Sequence, residues 1–198
     1  MLRSRVMDGG NDMEPTPVTK LTYDDFVHFP DDGQRHELID GIHYVTPSPN
    51  RLHQRVSRRL FRILEDYFAP RHIGEVFYAP LDVILSHHDV VVPDLVVEAL
   101  HPRAPSRGIE GPPLLAVEIL SPSSVRRDRH LKFRRYAELG VAHYWIVDPD
   151  GKTLECYRQR DRQFERVDAD GAGQSGTLTH PDFPGLAITP ADLWAEPR

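Results

Sequence analysis

Leu114-Leu115-Ala116-Val117-Glu118-Ile119-Leu120 is the stretch on which the reading of this 198-residue chain turns. Both of its alternating faces are apolar, the pattern of a strand buried on each side within a sheet. Glu118 sits in the middle. A buried carboxylate is costly unless it is protonated, paired with a cation or bound to a metal, so the strand requires one of these. A structural salt bridge meets the requirement as well as a metal does. Upstream, Asp94 poses the same problem between Val90-Val91-Val92-Pro93 and Leu95-Val96-Val97. Pro93 cannot donate to a sheet ladder, so it marks a bulge or edge inside an apolar strand, or a turn between two short ones. Two carboxylates on neighbouring interior strands suit a hard cation, Mg²⁺ or Mn²⁺, completed by waters and a substrate phosphate.

Outward from these acids, the chain alternates between strand and helix signals. Leu21 to Phe26 opens with a Thr followed three residues on by an acid, a helix start. His36 to Val45 reads as a hairpin around Asp40-Gly41. Apolar residues at 52, 56, 60, 63, 64 and 67 predict a helix from Leu52 to Phe68, ended by Pro70. Strands are expected over Gly74 to Leu85 and Val90 to Val97, then a Pro- and Gly-rich loop from Pro102 to Pro113. Asp128 to Leu139 is helical and stopped by Gly140. His143 to Val147 and Thr153 to Tyr157 flank the turn Asp148-Pro149-Asp150-Gly151. A loop follows from Ala169 to Gly176, and a short last helix begins near Pro190. The order implies a mixed sheet with helices packed on it, in one α/β domain over residues 20–198. Residues 1–19, rich in Pro, Asp and Gly without periodicity, are expected to be a disordered tail.

Composition narrows the function. No apolar run approaches the roughly 20 residues that span a bilayer, and no signal-peptide pattern opens the chain. A lone cysteine, Cys156, fits a reducing compartment, and a cytoplasmic location is expected. A formal net charge of -6 argues against a protein that coats nucleic acid through bulk cation excess. Charge is uneven, however: Arg126 to Arg135 holds six Arg or Lys and one acid, Asp128. That run is either a solvated helix face or a seat for a phosphate backbone. Lys132 borders the apolar face of its helix, where a long stem could carry the ammonium to the two carboxylates. Asp128 is either a helix N-terminal acid or a functional group. The eleven histidines show no metal-binding spacing.

In order along the chain stand Glu37-Leu38-Ile39-Asp40-Gly41, His53, Pro93-Asp94, Val117-Glu118-Ile119-Leu120-Ser121-Pro122-Ser123 and Arg127-Asp128-Arg129 with Lys132 and Tyr136. Gly140-Val141 and Tyr144-Trp145-Ile146-Val147-Asp148-Pro149 complete the series. Over roughly residues 20 to 168 this resembles the Uma2 family, restriction-endonuclease-like proteins within the PD-(D/E)xK nuclease superfamily. The resemblance implies a restriction-endonuclease-like mixed β-sheet core flanked by helices, with an N-terminal hairpin and extra C-terminal strands. It also implies a Mg²⁺- or Mn²⁺-dependent endonuclease hydrolysing DNA phosphodiester bonds, working as a homodimer. By resemblance Glu37, Asp94, Glu118 and Lys132 are catalytic, and Asp94, Glu118 and the Ile119 backbone carbonyl bind the metal. His53 either contacts a scissile phosphate or packs and hydrogen-bonds, Arg127 and Arg129 are expected to bind substrate, and Ser121, which could cap or orient Glu118, and Tyr136 are expected to support the site. The chain departs from the superfamily pattern at Leu120, where a lysine is usual, so Lys132 on the next helix is the substitute. Two alternatives stay open: a non-catalytic binding or assembly module on the same fold, and a nuclease acting on RNA or a repair intermediate.

Overall fold

The computed structural model describes residues 19–100, 107–167 and 176–196. All but the last residue of the expected tail and of the 169–176 loop, and positions 102–106 of the Pro-rich loop, lie outside the described residues. In chain order the elements are α1 (Tyr23–Phe26), β1 (Arg35–Ile39), β2 (Ile42–Thr46), α2 (Arg51–Phe68), β3 (Gly74–Tyr78), β4 (Val83–Ser86), β5 (Asp89–Val91), β6 (Leu95–Ala99), β7 (Ile109–Glu110) and β8 (Leu115–Ile119). A π-helical turn over Arg127–Lys132 runs into α3 (Phe133–Glu138). Then come β9 (His143–Asp148), β10 (Thr153–Arg160), β11 (Gln163–Arg166), β12 (Leu178–His180), β13 (Phe183–Ile188) and α4 (Pro190–Trp194).

The central sheet has six strands in the order β11-β10-β9-β8-β6-β3. It is mixed, because β8 and β9 run parallel while the other pairs are antiparallel. Every residue of β8 is buried, as its two apolar faces require. On one face, Leu115, Val117, Ile119, Trp145 and Val147 pack against Val56, Leu60, Leu64 and Phe68 of α2 and against β12, β13 and α4. On the other, Ala116, Tyr144 and Ile146 meet Tyr136 of α3 and residues of a second sheet, ordered β2-β1-β5-β4-β7. Glu118 belongs to this second face by strand alternation.

Two expectations are corrected here. Val90 to Val97 is not one strand. Pro93-Asp94 separates β5 from β6, and the two belong to different sheets. Proline has no N–H for a ladder, so the chain leaves one sheet at this point and enters the other. Gly74 to Leu85 is likewise divided into β3 and β4, which lie in different sheets. The β1–β2 hairpin forms as its Asp40-Gly41 turn dictates, with both residues at positive φ. Thr22 and Asp25 close a capping box on α1. Among the described residues, no helix is long and apolar enough to cross a membrane.

Candidate active site

Five segments converge on a cavity of about 240 Å³ at one end of β8. The hairpin strand β1 presents Arg35 and Glu37 on one face, two residues apart as the period of a strand requires. The β5–β6 break supplies Asp94, and β8 supplies Glu118. The first turn of α2 supplies His53, whose N–H bonds the N-capping Asn50 side chain at 2.9 Å. The π-helical turn supplies Arg127, Asp128 and Lys132. All of these line the cavity, with Ile119 and Ser121.

The carboxylates are held by a dense set of cations and donors. Lys132 Nζ lies 2.7 Å from Glu37 Oε1, 2.8 Å from Glu118 Oε1 and 3.9 Å from Asp128 Oδ1. Tyr136 donates its hydroxyl to Glu118 Oε1 at 2.9 Å. Asp94 receives Arg35 Nη1 at 2.8 Å on one oxygen. Its other oxygen takes the Ile119 N–H at 2.9 Å and lies 3.0 Å from His53 Nε2. Glu37 also accepts the Val92 N–H at 2.9 Å, and Arg127 reaches its neighbour Thr46 at 2.7 Å. Because the N–H and C=O of one strand residue point to the same edge, the Ile119 carbonyl faces the side on which Asp94 lies.

Charge does not balance in this pocket. Glu37, Asp94, Glu118 and Asp128 face Arg35, Arg127 and Lys132, which leaves one negative charge in excess. The excess settles on Glu118. Burial drives its carboxyl up, Lys132 opposes this, and Asp128, Asp94 and Glu37 add to the rise, to about 8. Burial also raises Asp128, whose Oδ1 is buried without a hydrogen-bond partner. Asp94 and Glu37 shift the other way: burial raises each, but His53 and Arg35 in one case, and Lys132 and Arg127 in the other, hold them below the usual range. Burial disfavours a charged Lys132, yet Glu118, Glu37 and Asp128 more than compensate and keep it protonated.

Of the residues singled out from sequence, Glu37, His53, Asp94, Glu118, Ile119, Ser121, Arg127 and Lys132 meet at the cavity, and Tyr136 lies directly behind Glu118. Arg129 does not. Its guanidinium makes a two-pronged contact with Glu155, at 3.1 and 2.9 Å, and does not line the cavity. Ser121 bonds to Ser123 and Ser124 rather than to Glu118. Arg35 is a site residue that sequence reasoning missed; its same-face spacing from Glu37 was the available signal. Elsewhere, His143, His180 and Asp182 bring ligand-type atoms within 4.8 Å of one another, although the histidine spacing gave no sign of it. There Asp182 is already bonded to Arg158 at 2.8 Å and gives its N–H to His180 Nδ1.

A mixed sheet that brings acids from its interior strands to one end, against a lysine, is the arrangement of restriction-endonuclease-like α/β proteins. A solved structure with this fold is described as "a putative nuclease belonging to DUF820" from Anabaena variabilis. It matches at a TM-score of 0.71 with 23% identity, over 88% of this chain and 97% of that one. The sequence model of the Uma2 family, described as "Putative restriction endonuclease", matches residues 23–191, and the chain belongs to that family. No curated protein matches the chain.

Proposed function

We propose that this protein is a metal-dependent endonuclease that hydrolyses DNA phosphodiester bonds. The observation that carries the reading is the cavity in which Glu37, Asp94, Glu118 and Lys132 meet with one negative charge unmatched. The donor set fits Mg²⁺ or Mn²⁺: two carboxylates, Asp94 and Glu118, with the Ile119 carbonyl beside them, all hard oxygen atoms. Bound there, a divalent ion supplies the Lewis acidity that lowers the pKa of a water and offsets charge on the scissile phosphate. Two added positive charges, with loss of the proton that Glu118 holds, would leave the pocket cationic, so that an anionic phosphodiester is attracted.

The chain's own residues support the remaining roles. Lys132 stays cationic, so it acts as a donor and a charge rather than as a base, orienting the attacking water against Glu37 and Glu118. His53 lines the cavity with Nε2 beside Asp94, where a protonated ring would add positive charge near a phosphate oxygen. Arg127 lines the same cavity and can hold the backbone. Arg35 fixes the orientation of Asp94, and Tyr136 that of Glu118. Homodimer assembly and a cytoplasmic setting belong to the same proposal, on the pattern of the superfamily.

The test is cleavage of supercoiled, linear and single-stranded DNA with Mg²⁺ or Mn²⁺, beside Glu118→Gln, which keeps an acceptor for Lys132 and Tyr136. Wild-type cleavage by the Glu118→Gln protein would sink the assignment. A second reading is favoured by one observation: Asp94 and Glu118 are each already paired with protein cations. On that reading the site is a structural ion-pair cluster in a non-catalytic module. Titration with Mn²⁺ separates the two, because only a metal site gives saturable stabilisation that Glu118→Gln removes.

A further inference from the structure

Beside the catalytic cavity runs a groove of about 610 Å³, lined by Arg51, Gln54, Arg55 and Arg58 of α2 together with Phe61 and Tyr78. The two spaces share Pro49 and Asn50 in their linings. A third cleft joins them, bordered by Gln54, Ser57 and Tyr78 on one side and by His53 and Asp94 on the other. A chain leaving the catalytic acids thus has a continuous path into the groove.

Its chemistry is cationic and aromatic. Five arginines stand between Arg51 and Arg62 with no acid among them, in a chain of net charge -6. Among the described residues, no ion pair holds Arg51 or Arg58, and Arg55 meets only Glu196, whose side chain is 82% exposed. No acid lines the groove. Tyr78 is 64% exposed, the most of any large apolar side chain described. Its ring is held edge-to-face by Phe61 at a centroid distance of 5.3 Å. An aromatic side chain fixed in this way at a wet surface, ringed by guanidiniums, matches the two demands of an unpaired nucleotide: a ring on which to stack and cations for the phosphate. A duplex satisfies only the second, since its bases already cover one another.

We propose that this groove is a binding site for an unpaired nucleic-acid strand, with Tyr78 stacking a base and Arg51 and Arg58 holding backbone phosphates next to the scissile bond. The inference rests on the nuclease reading for its placement of the scissile bond, but it is tested by binding alone. Fluorescence anisotropy in EDTA, on the full chain, would compare a 12-nucleotide DNA strand, the RNA strand of the same sequence and the DNA duplex. We expect an unpaired strand to bind tighter than the duplex, the DNA and RNA arms showing which sugar is preferred. Tyr78→Ala should weaken that binding about tenfold and leave duplex binding unchanged, while Tyr78→Phe keeps it. Arg51→Ala with Arg58→Ala should lower the slope of log affinity against log salt by about 1.4, two contacts at roughly 0.7 each. Equal affinity for strand and duplex, or no effect of Tyr78→Ala, would overturn the proposal. The two readings fail separately. Tyr78-dependent binding by a protein that cleaves nothing ends the nuclease reading alone, and cleavage by a protein whose strand binding is indifferent to Tyr78→Ala ends the groove alone.

Discussion

Lys132 Nζ has three carboxylates within 4 Å, and the ammonium and its neighbours are all buried. Breaking a buried pair by removing one partner leaves an uncompensated charge, so Lys132→Met is expected to cost about 3 kcal/mol, read as a lower urea midpoint. In a Glu118→Gln background, compared at a pH high enough to ionise Glu118, the same change should cost less, because one of the stranded charges is gone. Additive losses would show that Lys132 and Glu118 do not act on each other. Glu118 itself carries a pH signature. Its folded carboxyl titrates at about 8 against an ordinary 4.5, so between those values the fold holds a proton that the unfolded chain lacks. This contribution to stability falls as pH rises through that window. A cation that binds Glu118 must displace the proton, so Mn²⁺ affinity should climb with pH up to about 8. Calorimetry at pH 7 in two buffers of different protonation enthalpy should read release of about one proton per ion, and none for Glu118→Gln. Asp94 and Glu118 were legible in the sequence because acids within apolar runs are costly. Arg35 was not, since a cation two residues before an acid matters only once the strand face is known.

At the scale of elements, α2 joins the packed core to the site. Its apolar stripe packs Val56, Leu60, Leu64 and Phe68 against the central sheet, while its first turn carries His53 and its outer face the groove arginines. Asn50 caps that first turn. Asn50→Ala should therefore lower stability by about 1 kcal/mol and loosen the His53 contact with Asp94. Thermal denaturation reads the first effect, and the His53 ring shift in NMR the second; an unchanged ring environment would show that the cap does not position His53. The 3.6-residue period made α2 readable from its sequence. The π-helical turn over Arg127–Lys132 was less so. The Phe133 N–H reaches back five residues to the Asp128 carbonyl, a widening that no apolar period encodes. It brings Asp128 into the pocket beside Lys132, where α-helical reasoning had left it as either a terminal acid or a functional one. The break at Pro93 was half legible: proline announced an interruption, but not that the strands on either side join different sheets.

Across the whole molecule, the charge run read as either a solvated helix face or a seat for a phosphate backbone is largely engaged within the protein. Arg127 bonds Thr46, Arg129 bonds Glu155, and Arg135 bonds Asp89 and Glu138. Among the described residues, Arg51 and Arg58 on α2 have no ion pair, and counting charges along the chain gave them no special weight. The fold places a second cluster far from the site in sequence. His143, at the start of β9, packs against His180 and Phe183 of the β12–β13 hairpin, with ring centroids 5.2 and 4.6 Å away. Burial pushes the His143 imidazole down, Asp182 opposes this and Arg158 adds to it, so that it titrates at about 4. The fold therefore refuses a proton that the unfolded chain accepts at about 6.5. The stability that this gives is complete above pH 6.5 and is lost as pH falls towards 4, by on the order of 3 kcal/mol. Urea midpoints at pH 7 and pH 4.5 should thus differ less in His143→Asn than in the wild-type protein. Other groups contribute to acid unfolding, Asp94 and Glu37 among them, but they titrate alike in both proteins and cancel in the comparison. Equal losses in the two proteins would mean that His143 accepts its proton without disturbing the contact between the hairpin and the central sheet.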